Sequence, residues 1–315
     1  MAPRFFEGPE KKVELSVVDG HPSLRALGAP FWRGVVAAAR AEVLSTIANE
    51  HVDAHLLSES SLFVYDGLVT MITCGRTTLV DAVDAMLERI DPAAIAALVY
   101  ERKSEHLPQE QPSSFSDDAA RLRARLPGRS VRFGVGHEHA VRVFHTTREH
   151  RPAPTDRTLE ILMHGIDPAR ADRFRGPPPA GGLAHRLGLE RALAGHVVDE
   201  HFFAPAGYSF NALRGEAYTT LHVTPERLGS YAGFETNAPD LREHLPELVG
   251  EVVAAFAPDS FDVVGFEPGP APVEVELAGY VLREHVRETI SGYHVSFLRF
   301  SRDARDPVRA SEIAR

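Results

Sequence analysis

Hydroxyls at Ser58, Ser60 and Ser61 crowd around Glu59, the chain has one thiol at Cys74, and Ser209 and His222 lie close together further on. Hydroxyl, thiol and imidazole are the groups of nucleophilic and general acid/base chemistry once a fold holds them within hydrogen-bond reach. Two hairpin signals supply that reach. Between strand-like runs at 61–64 and 68–74 stands Asp66-Gly67, a two-residue turn signal whose usual geometry puts both residues at positive φ. If Tyr65 pairs with Leu68, the antiparallel register sets Ser60 opposite Thr73 and Glu59 opposite Cys74. The thiol then lies within a residue of the Glu59-Ser60 peptide bond. Runs at 208–213 and 217–223 flank Arg214-Gly215-Glu216 and bring Ser209 within a residue or two of facing His222. Singly, each feature has an ordinary reading: a surface turn, a structural histidine, a small buried hydrophobe. Two hairpins that each present a polar pair are less ordinary.

These pairs need a rigid frame. Helical periodicity runs through 31–49, 79–90, 117–126 and 240–256, and further strand-like runs lie at 131–135, 140–146, 197–203, 262–266 and 293–300. Hairpins join many strands and no strand-helix-strand rhythm repeats, which favours an α+β sandwich over a doubly wound sheet. Segments 105–116 and 176–182 read as connections, and 301–315 as a frayed tail. Phe5-Phe6-Glu7-Gly8 and Phe202-Phe203-Ala204-Pro205-Ala206-Gly207 echo each other faintly and hint at internal duplication. No linker separates domains, so 1–315 reads as one domain.

Composition narrows the partners. With 315 residues, 43% hydrophobic and 25% charged, the chain buries a large core. A net charge of −10 and a pI near 5.9 give no reason to expect nucleic acid or an anionic membrane, and suit a small cationic ligand better. No run approaches the roughly 18 apolar residues of a membrane span. Met1 to Glu10 is charged where a signal peptide is apolar, so a soluble, cytoplasmic protein is expected. One cysteine forms no intrachain disulfide and no cysteine metal cluster. Strand alternation puts His137, His139 and His145 on one face, with Glu138 and His150 nearby. No other metal motif accompanies them, so a solvated sheet face is the expectation and no metal site is.

In order along the chain stand Phe5-Phe6-Glu7-Gly8-Pro9-Glu10-Lys11, Leu57-Ser58-Glu59-Ser60-Ser61-Leu62-Phe63-Val64, Thr73-Cys74-Gly75, Asp156 to Met163, Gly207-Tyr208-Ser209-Phe210-Asn211, His222-Val223-Thr224-Pro225-Glu226 and Phe234-Glu235-Thr236-Asn237. In these motifs and their order the sequence resembles the eukaryotic-type S-adenosylmethionine decarboxylases. The resemblance weakens beyond Asn237. It implies a four-layer αββα sandwich of two largely antiparallel sheets, helices on the outer faces, with internal duplication. For function it implies a self-cleaving precursor: Ser60 attacks the Glu59 carbonyl, Ser209 holds the place of the oxyanion donor, and His222 that of the base removing the Ser60 Cα proton. Residue 60 becomes a pyruvoyl group heading the long chain 60–315, and 1–59 becomes the short chain. That ketone takes the substrate amine as a Schiff base and acts as electron sink, so no PLP and no metal are implied. Cys74 matches the proton donor, and Glu7 and Glu10 match acidic residues of catalysis and processing. Phe6 and Phe203 match the stacking pair for adenine, Glu226 the ribose ligand and Glu59 a substrate contact. The implied product is decarboxylated S-adenosylmethionine for spermidine and spermine synthesis.

Glu14, Asp156, Thr158, Glu160 and Glu235 match an acidic pocket that binds putrescine in many members. Lys12, however, stands where animal enzymes have an apolar residue and where plant relatives that ignore putrescine have a basic one. A lysine there serves as internal counter-ion, which makes putrescine activation doubtful. Ile72 replaces a lysine, Val99 an aromatic and Ala206 a frequent cysteine. A pyruvoyl-dependent ornithine or arginine decarboxylase and a non-catalytic regulatory paralogue are the alternatives. The two chains of one precursor are expected to stay together, with a homodimer left open.

Overall fold

The computed structural model describes residues 5–135, 139–176, 179–239, 244–270 and 273–302. The first eight strands are β1 (Lys11–Val17), β2 (Val43–Ala48), β3 (Asp53–Leu57), β4 (Ser60–Val64), β5 (Leu68–Thr73), β6 (Ile95–Lys103), β7 (Gly128–Phe133) and β8 (Val141–Thr146). They form one antiparallel sheet in the order β2-β3-β4-β5-β1-β6-β8-β7. The next eight are β9 (Thr158–His164), β10 (Val197–Phe202), β11 (Tyr208–Arg214), β12 (Ala217–Thr224), β13 (Tyr231–Thr236), β14 (Ser260–Glu267), β15 (Tyr280–Ile290) and β16 (Tyr293–Arg302). Their order, β10-β11-β12-β13-β9-β14-β16-β15, repeats the first with every strand advanced by eight. The duplication is therefore real, although its sequence hint was misplaced. Phe5-Phe6-Glu7-Gly8 precedes β1, whereas Phe202 to Gly207 joins β10 to β11, and these are not equivalent positions.

Period-two alternation explains the layers. On β1, Val13 and Leu15 pack with Trp32, Val35 and Val36 of α1 (Gly28–Ala38), Met86 of α2 (Leu79–Leu87) and Leu122 of α3 (Phe115–Arg125). Ile161 and Met163 of β9, with Phe210 and Leu221, pack beside α4 (Pro168–Ala171) and against Leu248, Val249 and Val252 of α5 (Leu245–Phe256). The helices thus cover the outer faces of a four-layer αββα sandwich. Residues of the other parity point between the sheets. Apolar patches close that layer on two sides: Val99, Phe133 and Val143 against Leu162, Phe266 and Phe297, and Ala54 and Phe63 against Leu213 and Tyr218. Polar residues fill the space between them.

Several sequence expectations change. The helical period at 31–49 stops at Arg40, whose φ is 64°, and 43–48 is an edge strand with alternating exposure. Asp66-Gly67 does join β4 to β5, closed by the Tyr65 N–H on Leu68 O at 2.8 Å, but neither residue takes positive φ. Ser301 and Arg302 complete β16 instead of fraying, and 303–315 lie outside the described residues. His145 is buried in β8, hydrogen-bonded to Arg129 and to the Thr146 carbonyl, and not on a solvated face. His139 is half-buried and stacks on the buried His164 ring with centroids 3.8 Å apart, so it too is not on a solvated face. His137 and Glu138 lie outside the described residues. No described helix is long and apolar enough to cross a membrane.

Phe63 and Tyr218 stack across the layer with centroids 4.1 Å apart, which ties the sheets together where β4 meets β12. Phe63→Ala is expected to cost about 3–5 kcal/mol of unfolding free energy by denaturant titration, the range for deleting a fully buried ring.

Candidate active site

Leu57 pairs with Ser60, so Ser58 and Glu59 form the two-residue turn between β3 and β4, within the serine-rich run whose ordinary reading was a turn. Ser60 opens β4 opposite Thr73, in the register expected from Asp66-Gly67. Its φ is 141° and its side chain is buried. A non-glycine residue holds such a conformation only when its surroundings impose it, at a cost of order 1–3 kcal/mol. The imposition is visible. The Glu59 carbonyl accepts the Cys74 N–H at 2.8 Å and the Cys74 thiol at 3.0 Å.

The same sulfur lies 2.9 Å from His222 Nε2, and His222 Nδ1 lies 2.5 Å from Ser209 Oγ. Ser209 and His222 are direct cross-strand partners on β11 and β12. A carbonyl only accepts, so the thiol proton points to Glu59, Nε2–H donates to sulfur, and Nδ1 accepts from the Ser209 hydroxyl. Burial holds the His222 imidazole down to about 4, which keeps it neutral in this arrangement. Burial, then the Glu59 and Glu10 carboxylates, push the Cys74 thiol well above its ordinary value, so it keeps its proton. Ser209, expected at the oxyanion, contacts His222 instead, and both donors to the Glu59 carbonyl come from Cys74.

Glu7 and Glu10 occupy different places. Glu7 accepts the His106 and Leu107 N–H groups, each at 2.8 Å, and its carbonyl accepts the Gly75 N–H at 2.8 Å, so it anchors the segment after Cys74. Glu10 lies between the sheets on the Tyr231 hydroxyl at 3.1 Å, in space that Gly233 leaves open: a Cβ there would stand 2.4 Å from Glu10 Oε1. Burial pushes Glu10 up to about 7 against the pull of Lys103.

A cleft of about 710 Å³ opens beside this centre, lined by Phe6, Glu59, Phe203, His222 and Glu226. All four expected substrate contacts therefore share one space. The Phe6 N–H donates to Glu226 Oε1 at 3.0 Å, which joins the amino-terminal segment to the loop after β12. Gly75, at φ 64°, is needed there, since a Cβ would lie 2.7 Å from Glu59 Oε2 and 3.1 Å from Phe6 Cζ. Burial pushes the Glu59 carboxyl up to about 7, with Lys11 pulling the other way, and its Oε2 is buried with no hydrogen-bond partner. That orphan acceptor suits a cationic ligand. Arg175 was missed from sequence. Its guanidinium donates to the Pro225 carbonyl, and its backbone bridges to Ala206, so it pins both loops of the cleft.

The expected acidic cluster forms elsewhere in the layer. Lys12 is 1% exposed, and its ammonium lies 2.8 Å from Glu14, 3.0 Å from Glu160 and 3.0 Å from Glu235. Lys103 holds the other Glu160 oxygen at 2.8 Å and Glu101 at 3.3 Å. Burial opposes the charge on Glu160, yet Lys103 and Lys12 prevail and hold it well below the usual carboxylate range. Thr158 donates to Glu14 at 3.3 Å, and Asp156 accepts the Tyr293 hydroxyl at 2.6 Å. A second cavity, about 660 Å³, opens onto Glu14, Asp156 and Thr158 and continues past Glu50, Tyr65 and Glu216. Ile72 pairs with Lys12 in the sheet, and Val99 lies buried among the apolar residues between the sheets. No group of His, Cys, Asp or Glu among the described residues has metal-binding geometry.

Comparison with known proteins places this geometry in context. Residues 3–301 match the family described as adenosylmethionine decarboxylase. The S-adenosylmethionine decarboxylase proenzyme of Dictyostelium discoideum is 31% identical over 317 residues, covering 91% of this chain and 82% of that protein. The Trypanosoma cruzi proenzyme is 32% identical over 285 residues, covering 83% and 75%. The crystal structure of the Trypanosoma brucei AdoMetDC-delta26 monomer has the same fold, with a TM-score of 0.60 at 23% identity, over 77% of this chain and 99% of that one.

A neutral buried His222 leaves a mark on stability. Its folded value, about 4, lies below the unfolded 6.5, so acidification protonates the unfolded chain first and stability falls from pH 6.5 down to 4. Glu10 and Glu59, raised in the fold, act with the opposite sign, so a paired comparison is needed. In an uncleavable Ser60→Ala background, adding His222→Asn is expected to reduce the loss of unfolding free energy between pH 7 and 4.5 by about 2–3 kcal/mol. Denaturant titrations at the two pH values measure it.

Proposed function

The chain belongs to the eukaryotic-type adenosylmethionine decarboxylase family, and from that premise we propose a self-processing, pyruvoyl-dependent enzyme that decarboxylates S-adenosylmethionine to supply aminopropyl groups for polyamine synthesis. The contact that carries the reading of the site is the Glu59 carbonyl, gripped by Cys74 beside the strained Ser60. The grip polarises the carbon that the Ser60 hydroxyl attacks, and an N–H and a thiol stand ready for the oxyanion that develops. Attack converts the Glu59-Ser60 amide into an ester. Removal of the Ser60 Cα proton, the task of His222, then expels the Glu59 carboxylate and leaves a dehydroalanine at residue 60. Because the Nδ1 lone pair faces Ser209, that hydroxyl is the relay through which the imidazole accepts the proton. Water releases ammonia from residue 60, and the products are a 1–59 chain and a 60–315 chain that remain packed together.

The residues around Ser60 fit a pyruvoyl group: a buried position, polar hydrogens within reach, and the Glu59 side chain on the cleft wall. Once formed, the group supplies the electron sink for loss of carbon dioxide, so neither PLP nor a metal is required. Phe6 and Phe203 hold the adenine, Glu226 the ribose hydroxyls, and Glu59 the cationic end of the substrate. Cys74, kept protonated, delivers a proton to the substrate Cα after carbon dioxide leaves. Glu7 acts by anchoring Gly75, and Glu10 by its charge between the sheets. Two aromatic side chains and a carboxylate on one cleft, which an amino-acid substrate would leave unused, argue against ornithine or arginine as substrate.

Lys12 is the internal counter-ion of the acidic cluster, since burial of three carboxylates without a cation is costly. Its ammonium occupies the centre where a diamine's end would sit.

Denaturing mass analysis tests the processing. Two fragments meeting at Glu59 and Ser60, with a borohydride-reducible carbonyl on the longer, are expected; one intact chain without such a carbonyl would overturn it. Carbon dioxide release from S-adenosylmethionine, and not from ornithine or arginine, tests the substrate. For Lys12, millimolar putrescine is expected to change the rate of the unmodified enzyme by less than about twofold, whereas Lys12→Met, which leaves Glu14 and Glu235 without their cation, gains a response to it. Several-fold activation of the unmodified enzyme would sink the counter-ion role.

A further inference from the structure

Among the described residues, Lys11 is the buried lysine near the reaction centre that has no carboxylate at ion-pair distance. Its side chain is 1% exposed, and its ammonium donates to two neutral oxygens, Gly75 O at 3.1 Å and Gln111 Oε1 at 2.9 Å. Its neighbours are all paired: Lys12 with three carboxylates, Lys103 with Glu101 and Glu160, Arg102 with Glu105 and Asp118. Among the described residues, no carboxylate lies within ion-pair distance of Lys11. Gly75 links it to the scissile peptide. Its carbonyl receives the Lys11 ammonium, and Glu59 Oε2, buried and without a partner, lies 2.7 Å from where a Cβ on Gly75 would stand.

We propose that Lys11 is the counter-ion of the carboxylate that self-cleavage creates at Glu59. The inference rests on the reading that Glu59-Ser60 is the bond cut. Cleavage is redox-neutral and consumes one water. The Glu59 acyl carbon exchanges its nitrogen for the Ser60 oxygen, that oxygen leaves Ser60 Cβ, and the nitrogen departs as ammonia. A neutral amide thereby becomes an anionic chain end whose other oxygen is already held by the Cys74 N–H. The Glu59 side chain, pushed up to about 7 by burial, is only partly ionised at neutral pH, and the new chain end adds a full anion to match the Lys11 cation. An unpaired buried ammonium destabilises the uncut chain, and pairing it stabilises the cut one, so the fold favours its own processing.

The charged groups facing Lys11 agree with this. Burial, then Arg102, bring its ammonium down to about 8, while Glu105, Cys74 and Asp118 work the other way from a greater distance than an ion pair. Lys11 in turn is the charge that pulls Glu59 back toward ionisation. It contacts neither Ser60 nor the cleft, and is therefore a positioning and charge-balancing residue.

Lys11→Met and Lys11→Arg separate charge from shape. Lys11→Met is expected to slow appearance of the two fragments, followed by mass analysis, at least about tenfold, and Lys11→Arg to restore the rate to within a few-fold. Thermal melting gives the second measurement. Lys11→Met should lower the midpoint of the cut protein by at least about 3 °C more than that of an uncleavable Ser60→Ala chain carrying the same change. A lysine that merely holds Gly75 would destabilise both forms equally, and that result, or unchanged cleavage, overturns the proposal. If the unmodified chain is not cut between Glu59 and Ser60, it is the processing itself that has failed.

Discussion

Everything at the site hangs on the hydrogen bond from the Cys74 amide to the Glu59 carbonyl. It completes the β4–β5 ladder at the point where β3 turns into β4, and so fixes which face every residue of β4 presents. Ser61 then points between the sheets to Asn211 at 2.6 Å, while Leu62 packs under the helices. A slip of one residue would exchange them, driving a hydroxyl into the apolar layer and a leucine into the polar one. The register is thus enforced by both layers at once. That over-determination is what can hold Ser60 at a φ no serine would choose.

Local signals made this corner legible. The Asp66-Gly67 hairpin gave the Ser60–Thr73 pairing because register propagates from a short turn, even though the turn's own geometry differs from the common one. The same reasoning set Ser209 against His222. What it could not give was the contact between the two hairpins, Cys74 to His222, which spans the inter-sheet layer. Lys11-Lys12-Val13-Glu14 did not read as a strand because buried lysines and glutamates do not look like core. The ammonium of Lys12 makes sense only beside Glu160 and Glu235, on strands far along the chain. β6 ends in Glu101, Arg102 and Lys103 and was obscured for the same reason. Arg175 carried no signal at all, since what it holds is a carbonyl and a backbone bridge.

The inter-sheet layer divides its labour by polarity. Apolar patches at its margins supply the association energy, and the charged belt between them supplies little, because desolvation offsets most of what pairing returns. Its gain lies in specificity. Each ammonium there has a fixed set of oxygens, so the sheets have one way to meet. The exception is Lys11, and it sits where the chemistry changes the number of charges. Among the described residues it is the belt lysine with no carboxylate in ion-pair distance, and it stands beside the bond whose cleavage adds an anion.

Duplication explains why there are two cavities. The reaction cleft is built from the β3–β4 and β10–β11 turns, the β12–β13 connection and the residues before β1. Advancing each by eight strands, with β16 followed by β1, gives the β11–β12, β2–β3 and β4–β5 turns and the residues before β9. Those segments hold Glu216, Glu50, Tyr65 and Asp156, which line the second cavity. The two spaces are therefore equivalent positions of one repeated fold, at opposite places in the same layer. They differ in what opens and closes the strands. Ala217 begins β12 where Ser60 begins β4, and Asn237 follows β13 where Cys74 follows β5. Without the hydroxyl and the thiol the second position has no bond to cut, while its enclosure is intact and one of its carboxylates, Glu14, reaches Lys12. One half of the molecule supplies the peptide and the thiol, the other supplies the imidazole, and only one of the two equivalent meetings of the halves contains all three.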